Sequence, residues 1–230
     1  PADDAGGFEQ VYAGESDPAR LGPAVAALGI ADPAPVAAAL ATLRGSGYWR
    51  RLDEYGRKRL TTLLPRLLRA AASREDPATV VTRALGVVEA IGARTSYLAL
   101  LNESSLALGR LVDICALGRF LPSQVAAFPL LLDELVDDRL FDEPPSRAQF
   151  EREIDARAGA AGEDAERYVE LLRQFQRAAV FRIALFDLTG RLPLMHVSDR
   201  LTDVAELILD RAMARAWRDV TAVHGVPTCG

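Results

Sequence analysis

The chain has 230 residues, half of them hydrophobic and 26% charged, with a net charge of −5. That is enough apolar material for one large helical domain or two small ones, and the acidic balance disfavours a broad nucleic-acid surface. Two cysteines (Cys115, Cys229) and two histidines (His196, His224) give neither a disulfide framework nor a metal-ligand spacing, and no apolar run reaches the ~18–20 residues that span a bilayer.

The start, Pro1-Ala2-Asp3-Asp4, is acidic, lacks a signal-peptide apolar core and carries no Met. It predicts a disordered or linker N-terminus over 1–16 on a segment of a longer, cytoplasmic protein. Asp17-Pro18, Asp32-Pro33 and Asp76-Pro77 then each place a cap acceptor before a proline at the first helical position. Gly29, Gly45 and Gly92 stand where those helices should stop, as left-handed caps. Helices are therefore expected at about 18–28, 33–44 and 77–91. Residues 48–74 read as a helical stretch broken or kinked at Pro65. Short helices follow at 95–103, 105–117, 122–128 and 129–136, completing a helical subdomain over 17–137.

The segment DDRLFDEPPS, 137–146, is acidic, carries Pro144-Pro145 and breaks the apolar pattern, so 138–146 is expected to be a linker. A long-helix bundle over 147–225 should follow. Leu172, Phe175, Ala179, Ile183 and Phe186 draw an apolar stripe on a helix at about 163–188, ended by Gly190 and Pro193. A second helix at about 199–224, capped by Ser198, is predicted to bury Leu201, Val204, Ile208, Ala212, Ala216 and Val220 and to expose Asp203, Asp210, Arg211 and Arg218. Gly225 and Pro227 stop it, leaving a tail over 226–230. Strand-length alternation is missing, so the fold class is all-α: an irregular multi-helix bundle with two long C-terminal helices and no sheet.

No catalytic, cofactor-binding or metal residue emerges. A P-loop and a GxGxxG after a strand are both missing. Gly45-Ser46 lacks the strand and spaced carboxylate pair of a nucleotidyltransferase, because Asp53 and Glu54 are adjacent on a helix and point ~100° apart. His224 reads as a helix C-terminal cation. The acidic clusters at 133–134, 137–138 and 142–143 read as solvated loops. Arg94-Thr95-Ser96-Tyr97 reads as a helix cap with a core tyrosine, although an anion could sit at such a corner.

The runs RTSYLALLNESSLALGRLVDICALGRFLPSQVAAFPLLLDELVD (94–137) and LRQFQRAAVFRIALFDLTGRLPLMHVSDRLTDVAELILDRAMARAW (172–217) resemble segments of the glutamine synthetase adenylyltransferase/adenylyl-removing family. Ser96 to Leu101 match its S-Y-L-x-L-L, Pro129 to Leu135 its P-L-L-L-D-E-L (with Phe128 replacing the common His), and Arg182 to Asp199 its R-I-A-x-x-D-x-x-G-x-L-P-L-M-x-V-S-D. Asn102-Glu103-Ser104-Ser105 lacks the usual proline, and 48–68 fits more loosely.

The resemblance implies a central helical region upstream of the second of two nucleotidyltransferase domains, one removing AMP from glutamine synthetase and one adding it. ATP and magnesium belong to the parent enzyme, and no catalytic residue carries over. It implies as partners the adjacent nucleotidyltransferase domains, glutamine synthetase, the PII signal protein and glutamine, with no nucleic acid and no membrane. Polar positions in the motifs are the candidate effector or domain-interface contacts: Arg94, Tyr97, Asn102, Arg119, Arg182, Asp187, His196 and Asp199. A glutamine site would need a carboxylate partner such as Arg94, Arg119 or Arg182 and an ammonium partner such as Asp187 or Asp199. The alternatives are a freestanding helical interaction module and a glutamine-sensing helical domain.

Overall fold

A computed structural model describes residues 3–14, 17–92, 95–137 and 142–227. Helix is the only regular structure among them, as the missing period-two alternation requires. The chain divides into two compact units, Pro1–Asp137 and Asp138–Gly230.

The first unit starts with α1 (Asp3–Gly14), where a linker was expected. Phe8 and Tyr12, four residues apart, share one helix face, are both buried and stack with ring centroids 5.7 Å apart. Tyr12 also meets Trp49 edge-on at 5.6 Å. These two aromatics supply burial that the Gly6-Gly7 pair cannot, and they fold the segment onto the unit.

Next come α2 (Pro18–Ala27), α3 (Pro33–Gly45), α4 (Gly47–Arg51), α5 (Glu54–Ala72) and α6 (Pro77–Ile91). Asp17 and Asp76 accept the N–H groups of Ala19 and Thr79 at 3.0 Å each, while Asp32 holds the extended cap backbone without a side-chain bond. Of the three predicted C-terminal glycines only Gly29 is left-handed, at φ 94°. Gly92 sits at φ −69°, and its requirement is space: a methyl group there would overlap the Tyr48 ring and hydroxyl.

The expected break at Pro65 is absent. α5 continues through it, and the break falls at Leu52-Asp53, where Asp53 accepts the Gly56 N–H at 2.7 Å. A mid-helix proline costs ~3 kcal/mol. Leu60, Leu63, Leu64, Leu67 and Leu68 on either side are fully buried, and each contributes ~1.5–3 kcal/mol, so packing outweighs the lost hydrogen bond.

The unit closes with α7 (Thr95–Glu103), α8 (Ser105–Leu117), α9 (Phe120–Ala127) and a 3-10 helix (Pro129–Leu135). α5 packs on α1, α6, α7 and α8, and α6 packs on α3, α8 and α9. Arg110 of α8 is buried and donates to the carbonyls of Leu135 (2.9 Å) and Asp137 (3.2 Å), satisfying the end of the 3-10 helix.

The second unit holds α10 (Arg147–Gly159), α11 (Ala165–Leu188) and α12 (Leu194–His224). α10, not singled out by periodicity, begins with a reciprocal capping box between Ser146 and Gln149. α11 starts from an Asp164 cap and stops at Gly190, φ 68°. The predicted stripe Leu172, Phe175, Ala179, Ile183 and Phe186 is buried against Phe150 and Ile154 of α10 and Val204 and Leu207 of α12, with Phe150 and Phe175 edge-on at 5.9 Å.

α12 departs from expectation twice. It begins at Leu194, because Pro193 is its N-cap: the Pro193 carbonyl accepts the N–H groups of His196 (2.8 Å) and Val197 (3.1 Å). Ser198 therefore lies inside the helix, its carbonyl accepting the Thr202 hydroxyl at 3.0 Å. The predicted buried face is also largely wrong. Val204 is buried and Ile208 packs on the core, but Leu201 and Val220 are exposed, as are Ala212 and Ala216, whereas Arg215 is buried.

Candidate functional site

The second unit concentrates its charge on the seams between helices. Arg182 of α11, 6% exposed, donates to Glu153 of α10 and lies 5.6 Å from the Phe150 ring centroid. Glu153 is also held by Arg157 at 2.7 Å. Arg147 at the start of α10 reaches Asp203 (2.9 Å) and Glu206 (2.6 Å) of α12, and these contacts raise its pKa further. Arg211 pairs with Asp155 at 2.7 Å and holds its carboxyl below the usual range. Arg215 ties α12 to the 162–163 turn through the carbonyls of Gly162 (3.2 Å) and Glu163 (2.6 Å) and covers the Tyr168 ring at 5.1 Å. Arginine suits these seams, since its planar fork donates in several directions and stacks on aromatics. α10 is thus joined by ion pairs to both α11 and α12 over an apolar core, while α12 meets α11 through Arg215 over the Tyr168 ring.

The first unit carries a cavity of about 490 Å³ between α1, α3, α4 and α5, walled by Trp49 and by Arg44, Arg57 and Lys58, with Glu9 opposing. Arg44 is committed to the fold: it donates to the carbonyls of Tyr12 and of Ala13 at the end of α1 and lies 5.0 Å over Trp49. A smaller cavity of about 300 Å³ shares Lys58 and Thr62 and adds Tyr55, Arg59, Asn102 and Glu103. The Cys115 thiol is buried, and burial pushes it up to about 12 against the opposing Arg83 charge. It is a core residue, not a nucleophile. Burial also pushes Tyr48 up to about 12, with Glu89 adding to it.

Among the described residues no group of three or more His, Cys, Asp or Glu is placed to hold a metal ion. Asp133, in the acidic 133–134 pair, has its carboxyl pKa raised by desolvation.

The candidate contacts are distributed rather than convergent. Arg94 lies outside the described residues. Tyr97 and Asn102 are on α7: Tyr97 is buried, and the Asn102 amide donates to the carbonyls of Arg59 (3.0 Å) and Leu98 (2.9 Å). Arg119 is exposed at the start of α9. In the second unit Arg182 is engaged by Glu153, while Asp187 is exposed near the end of α11. His196 and Asp199 are brought together at 3.5 Å in the first turns of α12. Sequence reasoning missed the cross-helix arginines. Arg147–Glu151 was legible as an i,i+4 pair, but the partners across helices carry no local signal.

A family model described as Glutamate-ammonia ligase adenylyltransferase matches residues 108–229. The chain is 39% identical to a bifunctional glutamine synthetase adenylyltransferase/adenylyl-removing enzyme of Pseudomonas putida, over 99% of the chain and 24% of that protein. Proteins of the same description are 42% identical in Pseudomonas syringae pv. tomato (87% of the chain, 20% of the relative) and 37% identical in Thioalkalivibrio sulfidiphilus (95% and 23%). The chain spans about a quarter of the length of these relatives.

Proposed function

The chain belongs to the glutamate-ammonia ligase adenylyltransferase family, and from that premise we propose that it is a regulatory and scaffolding segment of the bifunctional enzyme that adenylylates and deadenylylates glutamine synthetase. The observation that carries this reading is a family match lying on packed helices cross-tied by Arg182, Arg147, Arg211 and Arg215. Two opposed activities in one polypeptide need coordination, and a helical body with two packing arrangements is a physical means of coupling distant sites.

In this reading the transfer and removal of AMP, with ATP and magnesium, belong to nucleotidyltransferase domains elsewhere in the whole enzyme. The helical segment connects them and responds to nitrogen status through glutamine and the PII protein. No helix among the described residues is long and apolar enough to cross a membrane. The test is direct. The purified 230-residue chain, given ATP, magnesium and glutamine synthetase, should transfer no AMP, while the full-length enzyme does. Robust transfer by the short chain defeats the reading.

A further inference from the structure

α12 has a second apolar face. Leu209, Met213, Trp217, Val220 and Val223 follow one another at spacings of four, four, three and three, which places them on one side of the helix. They are 60%, 69%, 57%, 55% and 76% exposed. The side that packs in the second unit carries Val204, Leu207, Ile208 and the stem of Arg215, roughly opposite. Leu201 and Ala205 extend the exposed side toward the N-terminus, and Ala212 and Ala216 border the stripe with small groups. A contiguous exposed stripe ending in a Trp and two Val is the kind of surface that marks an interface, unlike single scattered apolar side chains.

We infer that this stripe seats an apolar face of the polypeptide that follows the segment in the full-length enzyme. The inference rests on the reading of the chain as part of that enzyme. The P. putida relative carries roughly three quarters of its length outside the matched portion, since the chain covers 24% of it. The stripe runs to the end of α12. The backbone then leaves the helix at Gly225, φ 78°, and Val226, 70% exposed, carries the apolar surface on. Polypeptide continuing from that point starts beside the stripe, and a tether of a few residues holds it at about millimolar effective concentration. A free partner or a second copy would need far higher affinity to compete. The occupant's contact side is apolar, because the stripe offers it no charged group among Leu209, Met213, Trp217, Val220 and Val223.

Oxidative footprinting read by mass spectrometry tests this at single residues. Met213 and Trp217 should label readily in the 230-residue chain at every protein concentration and lose most of that labelling, several-fold, in the full-length enzyme. Val220→Asp in the full-length enzyme should return Met213 to the level of the short chain, while the same change in the short chain leaves its helical circular dichroism unchanged. If the full-length Val220→Asp protein is not recovered, Trp217→Gln is read the same way. Equal labelling of the short and full-length proteins overturns the inference. So does protection in the short chain that rises with concentration together with a dimer in sedimentation, which assigns the stripe to a second copy. The footprint does not depend on AMP transfer, so its failure is separate from failure of the functional proposal.

Discussion

Replacing Arg182 by Met isolates the contribution of the buried seam between α10 and α11. Methionine keeps most of the stem's volume at this buried position, so the loss is confined to the guanidinium. Removing one partner of a fully buried pair costs ~3–5 kcal/mol, because a charge is left without compensation. Glu153 is not so stranded: its side chain is 22% exposed and Arg157 still holds it at 2.7 Å. That lowers the ionic part to about 2 kcal/mol, and loss of the contact with the Phe150 ring, 5.6 Å away, adds ~0.5–1 kcal/mol. The expected cost is about 2–3 kcal/mol, read by urea denaturation with hydrogen exchange to localise the loss to residues 147–224. A double-mutant cycle with Glu153→Gln should return a coupling of roughly 1.5–2 kcal/mol. Arg147→Met is the internal reference. It also bridges two helices, but its side chain is 39% exposed, so solvent screening makes its cost clearly smaller than that of Arg182→Met. If Arg182→Met costs no more than Arg147→Met, or if the coupling with Glu153 vanishes, the seam does not hold the unit together and its charges are incidental.

Two further outcomes are expected in the first unit. Gly92→Ala should destabilise by ~2–4 kcal/mol, the cost of overpacking and displacing a buried tyrosine, because the new methyl group meets the Tyr48 ring and hydroxyl. A Tyr48→Ala background should remove much of the clash in thermal melts, whereas an equal loss in both backgrounds would assign Gly92 a backbone role instead. Stability should also fall as pH rises from about 9 toward about 12. Cys115 and Tyr48 keep their protons in the folded state up to about 12, while their ordinary values are 9.0 and 10.0, so the unfolded chain binds fewer protons through that window and is favoured there. The urea midpoint at pH 10.5 should drop relative to pH 8, and Cys115→Ala should drop less; an unchanged difference between the two proteins would remove Cys115 from the account.

What was legible in the residues depended on whether the deciding interaction was local. The Asp17 and Asp76 caps, the Gly190 stop and the stripe from Leu172 to Phe186 are each fixed by contacts within a turn or by one packed face, and spacing alone located them. Pro65 was misjudged because the rule prices the missing donor and not the five leucines around it. α1 was missed because Gly6-Gly7 is loud locally, while Phe8 and Tyr12 act through Trp49, far along the chain. The candidate contacts fared least well. A polar residue in a motif has no period to betray its partner, so nothing local revealed that Arg182 turns to Glu153 and not to Asp187.

α12 shows a different kind of failure. Its hydrophobic period was found, but its phase was not. Leu201, Ala212, Ala216 and Val220 satisfy the helical repeat as well as Val204, Leu207 and Ile208 do, because the helix is apolar on two sides. Periodicity measures how apolar residues recur and cannot say which of two faces meets the core. The choice here is made by three side chains from other elements: Phe150, Phe175 and Tyr168 gather on the Val204–Leu207 side, and the Tyr168 hydroxyl donates to the Arg211 carbonyl at 3.0 Å. Once that side is taken, burying Arg215 follows, since its guanidinium falls over Tyr168 and the 162–163 carbonyls. The other side must then face outward. A helix packed on one side needs one apolar face; α12 carries a second, and that second face is both what blurred the phase of the pattern and the surface we infer to be seated in the full-length enzyme.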